Sequence, residues 1–458
     1  MSSFIATVAA LLTIFGAGFG VTSLFLRNAK QIAVAELTGL SWLLGAAVLS
    51  LSLWLIGMLL RGVSLHIAIA FIALGLTLTG VAIFRSRKLK VRIPRLRGWR
   101  EYALVFFLCL EIGAVLLLTF KHTLGWDGLL IWELKARYAY LNGGALPAQY
   151  FSDAPRVFSH PEYPLFLPML ETWIYFWIGD CDQYWVKLIF PLFYAVGMAL
   201  LAQAGTFWSG KRWIGLLVAN LFLFIPFLTH PAGGIILGYA DVPLSIVYLA
   251  AFYFLSIFVR RNSSAAWSCF LALAAILPWI KREGVILWFI VTACGAWIIW
   301  RRRGVAPALL SFLPGVCVIA GWQIYLKAMH VSPAQDFNSI GLASLCANLY
   351  RIGPVLRSLL SEAATIEHWN LLWLATLMAF FCFVIRGRGQ HALMLLVCTV
   401  APIALYCGVY LFSAWSDYRH HVGSSLPRLL LHVAPLSILA IALALAPPSR
   451  DSARQVDS

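Results

Sequence analysis

The topology turns on Arg260 to Arg303, RRNSSAAWSCFLALAAILPWIKREGVILWFIVTACGAWIIWRRR. Basic groups close both ends, and one charged cluster, Lys281-Arg282-Glu283, interrupts the apolar residues between them. A single crossing would leave Arg260/Arg261 and Arg301/Arg302/Arg303 on opposite faces of a membrane. Two short helices joined at 281–283 return both groups to one face, as the cytoplasmic bias of Lys and Arg demands. Two crossings are therefore expected, at 265–280 and 284–300.

The same logic extends outward. Of 458 residues, 62% are hydrophobic and only 11% charged, whereas a soluble globule is about one quarter charged. Apolar runs near the length of a membrane-spanning helix recur along the chain, so the fold class is an all-α polytopic membrane protein rather than a barrel. About 13 spans are expected, at 3–26, 39–60, 65–84, 101–122, 182–206, 213–230, 242–259, 265–280, 284–300, 305–328, 369–386, 391–412 and 428–446. The first run is long for a signal segment and is read as a retained span. Inside turns then hold Arg27/Lys30, the run RSRKLKVRIPRLRGWR at 85–100, Lys211/Arg212, Arg260/Arg261, Arg301–Arg303 and Arg386/Arg388. The N-terminus falls outside and the tail inside. Most of the 18 acids land on the outer side, although they were not used to orient the chain. The expected location is a bacterial inner (plasma) membrane, with the working face extracytoplasmic.

The formal charge of +16 sits in short turns, which sets orientation and contacts membrane lipids; it does not point to nucleic acid. The nine cysteines are scattered without a C-x-x-C, and only Cys181 and Cys346 fall in outward segments, where a bridge could form. Residues 1–100 read as a three-span N-terminal addition with a basic loop. Residues 101–446 read as the core, with an extracytoplasmic loop at 123–181, and 447–458 as a cytoplasmic tail. That loop carries two expected juxtamembrane helices. In GWDGLLIWELKARYAYLNGG, Leu130, Leu134 and Tyr138 recur as one helical face ended by Gly143-Gly144. HPEYPLFLPMLETWIYFWIGD follows, with Pro161, Pro164 and Pro168 and the acid Glu171. A further interfacial candidate runs from Ile340 to Glu362, broken at Pro354.

The outer loops hold the chemistry. Asp127 follows a span directly, Glu133 lies nearly two turns on, and Asp241 opens a later span with no basic residue near it in sequence. Carboxylates at span ends on one face suit general-base work or a divalent cation; as plain helix caps they would need no ligand. His160, Glu162 and Tyr163 place an imidazole, a carboxylate and a phenol within four residues. The pair Lys281 and Arg282 suits an anionic headgroup, and Arg428, with His421 before it, repeats the theme at a span entrance. No zinc spacing, Walker loop or dinucleotide fingerprint is present, so no cofactor is assigned and the metal stays unknown.

These residues resemble the GT-C superfamily of membrane glycosyltransferases, which includes protein mannosyltransferases, aminoarabinose transferases and rhizobial core transferases. The likeness rests on WDG at Asp127, SHPEYPLFLP, GYADVPL at Asp241, LPWIKREGVILW and SSLPRLLLHVAP, over about 101–446. It implies an inverting-type transfer of a sugar from a polyprenyl-phosphate donor to a lipid, glycan or protein acceptor, in cell-envelope glycosylation. It further implies that Asp127 is the general base, that Asp241 shapes the same site, and that Lys281, Arg282 and Arg428 hold the lipid phosphate. Gly128 stands where the protein mannosyltransferases have a second acid, which departs from their acceptor class. Two alternatives stay open: a transporter or flippase of an amphiphilic anion, and a non-catalytic envelope-assembly factor.

Overall fold

The computed structural model describes residues 2–230, 234–332, 336–339, 341–386 and 390–446; Arg388 and the expected tail 447–458 lie outside them. The first helices are α1 (Ser3–Phe25), α2 (Val34–Ile56), α3 (Gly62–Arg87) and α4 (Gly98–Lys121). The first large loop contributes α5 (Leu134–Leu141) and α6 (Phe166–Ile178). Next come α7 (Ile189–Ser209), α8 (Arg212–Leu223), α9 (Asp241–Arg261), α10 (Ser264–Ile280), α11 (Gly284–Arg303) and α12 (Leu313–Ala328). The last are α13 (Ile352–Ala363), α14 (Leu372–Ile385), α15 (Gln390–Val409), α16 (Tyr418–Leu431) and α17 (Ala434–Leu445). Among the described residues nine helices are long and apolar enough to cross a membrane, and α16 with α17 would make a tenth across a 47° bend. The chain is a helical polytopic membrane protein.

Arg260 to Arg303 folds as two helices, α10 and α11, turning at Lys281–Glu283 as expected. Other boundaries move for local reasons. The helix expected over 213–230 stops at Leu223, because Pro226 cannot continue it and starts a 3-10 turn instead. The span expected from Arg428 begins ten residues earlier, at Tyr418, and breaks at His432-Val433 before Pro435 restarts it. Pro354, expected to interrupt a helix, sits in the first turn of α13, where a missing N–H costs nothing. One feature has no counterpart in the expectations. Gln31–Ala33 and Lys90–Arg92 pair as a two-stranded parallel ribbon, tying together the two basic loops after α1 and α3.

Every residue of α9 from Asp241 to Val259 is buried, which makes this helix the axis of the molecule. By contrast α3 and α4 leave Phe71, Leu78, Phe106 and Phe107 exposed, as a lipid-facing surface would. The first hundred residues, expected as an addition, share the central core. Trp173 Nε1 on α6 donates to Thr13 Oγ1 (2.9 Å) on α1, and Trp279 Nε1 on α10 donates to Ser50 Oγ (3.0 Å) on α2.

Glycine sets the closest crossing. A Cβ on Gly18 would stand 1.7 Å from Ser41 O, and one on Gly45 would stand 2.0 Å from Ile14 O. The backbones of α1 and α2 therefore touch, the usual way apolar helices associate where lipid supplies no hydrophobic drive. Gly45→Val should separate the two helices, costing several kcal/mol of the kind that overpacking produces. Thermal unfolding in detergent should show a large drop in Tm for this variant. Gly113→Ala, with open space around its Cβ, should leave Tm unchanged.

Candidate functional site

Two loops converge at the end of the bundle opposite the basic turns. Gly125 N–H donates to Leu237 O (2.9 Å), joining the loop before Asp127 to the loop before Asp241. A Cβ on Gly128 would lie 2.2 Å from that same carbonyl, and one on Gly125 would lie 2.8 Å from the Tyr239 ring. Only glycine at both positions lets the loops close. Asp127 is held between them, and the chain leaves it as a π-helix, Gly128–Glu133, a rare form found mostly at functional sites.

Asp241 forms the floor. Its Oδ1 accepts from Lys281 Nζ (2.8 Å) and His432 Nε2 (2.8 Å), and its Oδ2 accepts from Arg428 Nε (3.0 Å). Arg428 Nη2 reaches on to Asp127 Oδ2 at 2.5 Å, so one guanidinium bridges both carboxylates. Lys281 also pairs with Glu283 (3.1 Å), and Tyr406 Oη and His432 Nδ1 stand 3.2 Å apart, a contact that orients the imidazole on Asp241. The Arg428 guanidinium lies 4.9 Å from the Tyr239 ring centroid. Burial is graded. The Asp241 and His432 side chains are fully buried, whereas those of Asp127 and Arg428 keep 12% and 16% exposure, so the bridge is the open edge of the cluster. Burial works against a charge on Glu283, but Lys281 and then His432 outweigh it and hold that carboxyl below its usual value.

Several expectations change here. Asp241 looked solitary in sequence; in space it has three basic partners, because a carboxylate atop a fully buried helix is stable only when compensated. Neither Asp127 nor Asp241 caps a helix with its side chain, so the capping alternative falls away. Lys281 and Arg428 are committed to carboxylates, which leaves exposed Arg282, 5.2 Å from the Phe337 ring, as the expected phosphate-holding cation without an ion pair among the described residues. The space between Asp127 and Asp241, where a divalent cation was also considered, holds the Arg428 guanidinium. The bridge expected between Cys181 and Cys346 is absent, since both are free thiols: Cys181 is part-buried near Arg137 and Cys346 exposed on a separate loop helix.

Glu133 faces elsewhere. Its Oε1 accepts from Arg137 (3.1 Å) and from Tyr175 O–H (2.9 Å), within a network that includes Glu171. The expected face of Leu130, Leu134 and Tyr138 is only half-buried, and Trp132, Lys135, Ala136 and Ala139 fill the core instead. The helix carrying Glu171, expected along the outer leaflet, is likewise core: Phe166 to Tyr175 are all buried.

His160 takes a left-handed backbone (φ 49°) and stacks on Tyr163 with ring centroids 4.7 Å apart. Its Nδ1 lies 3.2 Å from Glu162 Oε1 and 3.7 Å from Asp336 Oδ2. Ligand atoms of these three residues all fall within 4.8 Å of one another, close enough to hold one divalent cation. Burial opposes ionisation of Glu162, but the hydrogen bond and charge of His160, with Lys135, carry its carboxyl below the usual value. Lys135, fully buried, donates to His160 O (2.6 Å). Burial lowers its ammonium to about 7, against the pull of Glu162 and Asp127. It couples this turn electrostatically to the carboxylate cluster. His421 stands apart, stacked on Trp415 (4.5 Å) and bonded to Ser413 Oγ (2.9 Å). Sequence reasoning missed Lys135, Tyr239 and His432. A signal existed for the last: His432 follows Arg428 by four residues, on the same helical face.

The fold and cluster define a helical membrane protein with a buried ion network at one end of its bundle. No protein-family model and no curated protein sequence matches the chain. Among solved structures it is similar to the crystal structure of ArnT from Cupriavidus metallidurans in the apo state, with 16% identity and a TM-score of 0.48. The match covers 77% of this chain and 62% of that one, so the chain spans less than two thirds of the ArnT length.

Two outcomes follow. Asp241→Ala removes the counter-charge of buried Lys281 and of Arg428 together and should cost about 3–5 kcal/mol, measured by denaturation in detergent; Asp241→Asn should cost less. Burial, with Glu133 adding to it, pushes the Glu171 carboxyl well above its usual 4.5, so it folds neutral. The folded chain then keeps a proton that the unfolded chain releases, and stability falls as pH rises above that value. Glu171→Gln should therefore gain Tm over the wild type progressively as pH rises above 4.5. A gap that stays constant with pH would refute the assignment.

Proposed function

We propose that the chain is a GT-C-type membrane glycosyltransferase, moving a sugar from a polyprenyl-phosphate donor to a lipid, glycan or protein acceptor on the extracytoplasmic face. The observation that carries this reading is the Arg428 bridge between Asp127 and Asp241. It joins two acids from separate loops, at the rim of an apolar bundle, with one edge open. The order of the sequence motifs supports the same reading.

The bridge also supplies a mechanism. Arg428 is anchored by Nε to the buried floor, while Nη2 is shared with the more exposed Asp127. A lipid phosphate entering the rim competes with Asp127 for Nη2, and exposed Arg282 adds to its attraction. Once displaced, Asp127 is a free carboxylate. It takes the proton of the acceptor hydroxyl as that oxygen attacks the anomeric carbon from the side opposite the phosphate. The bond from the anomeric carbon to the phosphate oxygen breaks with its electron pair going to the phosphate, and Arg428 and Arg282 meet the charge released there. Lys281 and His432 stay with Asp241 and keep the anchor rigid. The trio His160, Glu162 and Asp336 can take a divalent cation that stiffens the rim.

A second reading has one observation in its favour. Each acid of the cluster already has a basic partner, as in an ion network kept for stability in a non-catalytic assembly factor. Purified protein given a radiolabelled polyprenyl-phosphate sugar separates the readings. Transfer, or slow donor hydrolysis, is expected from the wild type. Asp127→Asn, which still accepts from Arg428, should hold Tm and lose at least about a hundredfold in kcat. Full activity in that variant sinks Asp127 as base. No turnover with intact donor binding favours the assembly factor, and vectorial movement without bond cleavage favours a transporter.

A further inference from the structure

We infer that the basic end of the bundle carries a site for a phosphate-bearing anion, in the cavity closed by Arg92, Arg260 and Arg261. This cavity, about 420 Å³, is lined by Arg92, Gln203, Thr206, Phe207, Arg260 and Arg261. It has no role in the chemistry proposed above. It lies at the last turn of α9, roughly 30 Å from Asp241 at the helix rise of about 1.5 Å per residue. That is about one hydrocarbon thickness, so the cavity stands at headgroup level on the opposite face.

Not every arginine here needs a ligand. Arg302 Nη2 donates to Val259 O (2.8 Å) and Arg260 Nη1 to Phe207 O (2.9 Å), each closing the carbonyl end of a helix. Those two have structural work. Arg92 and Arg261 do not: among the described residues neither has a carbonyl acceptor or a carboxylate within ion-pair distance. Arg261 is nonetheless held in place. Its guanidinium lies 5.4 Å from the Phe207 ring centroid, with that of Arg260 at 5.1 Å from the same ring.

Two like charges on one ring, with a third across the cavity on the β-ribbon, repel one another, and among the described residues the nearby acid forms an ion pair with none of them. Glu36 spends its oxygens on Tyr253 O–H (2.5 Å), Gln203 Nε2 (3.5 Å) and Ala33 N–H (2.9 Å). An anion relieves the repulsion. Phosphate fits best, because guanidinium forks match paired phosphate oxygens, and the two forks already set on the Phe207 ring lose little freedom on binding. A basic pocket between helices on this face is the setting in which anionic phospholipid headgroups bind. The phosphate has two available sources, a phospholipid of that leaflet or a soluble phosphate; the place of the cavity at headgroup level favours the lipid.

The test uses the full chain in neutral detergent. Phosphatidylglycerol, phosphatidylcholine and inorganic phosphate are titrated separately, with Tm and native mass spectrometry as readouts. Phosphatidylglycerol should raise Tm and survive as an adduct, whereas phosphatidylcholine should do neither. The Arg92→Ala/Arg261→Ala variant should bind phosphatidylglycerol at least tenfold more weakly, with its lipid-free Tm no lower than that of the wild type. The Arg27→Ala/Lys30→Ala variant, which loses equal charge from a separate basic depression, should bind as the wild type does. Equal stabilisation by inorganic phosphate would assign the site to a soluble phosphate. Equal weakening in both variants would mean a diffuse basic surface, and no preference for phosphatidylglycerol or phosphate would remove the site.

Discussion

A carboxylate at the head of a wholly buried helix organises this molecule. Asp241 begins α9, and α9 touches solvent only at its far end. An isolated charge in that position would cost several kcal/mol after every relaxation available to it. The chain meets that cost with Lys281 from the α10–α11 turn and with Arg428 and His432 from α16 and the break after it. Three distant segments are thereby drawn to one point. The turn at Lys281–Glu283 lies where it does because two helices must return there, and the kink between α16 and α17 leaves His432 beside the acid.

From that point the cluster opens outward by one step. Arg428 is the only group shared between the sealed floor and the rim among the described residues, and its second contact is the partly exposed Asp127. Loop closure through Gly125 and Gly128 keeps this contact short: the two loops could not approach if either residue carried a side chain. Backbone geometry therefore sets an electrostatic distance. Lys135 adds a third link, since its buried ammonium feels both Asp127 and Glu162 and so connects the HPEYP turn to the cluster.

The fold class was readable because membrane insertion imposes a simple rule, long apolar runs with basic turns on one side, which 260–303 obeys in both halves. The failures are just as physical. The buried face of the Gly128–Leu141 segment was misread because it carries Lys135, Ala136 and Ala139, which hydropathy does not mark as core, while the more apolar Leu130, Leu134 and Tyr138 are only half-buried. Proline reset the ends of α8 and the start of α17 within runs that hydropathy alone joins together. Asp241 appeared solitary because its partners lie 40, 187 and 191 residues away. Helical spacing would have grouped Arg428 with His432, but nothing local could have said that both face Asp241.

The two ends of α9 treat charge in opposite ways, and the contrast bears on function. At Asp241 each cation meets a carboxylate within hydrogen-bonding distance, so an entering anion has to displace an existing contact; the one exposed enough to yield is Arg428 to Asp127. At Arg260 and Arg261 the cations are held by an aromatic ring and a helix carbonyl, and an entering anion displaces no carboxylate. The first arrangement suits exchange, because what leaves is a base released beside the newcomer. The second suits retention, because nothing has to leave. On the proposed reading, a phosphate at the acid-rich end would trigger chemistry, and one at the basic end would stay bound.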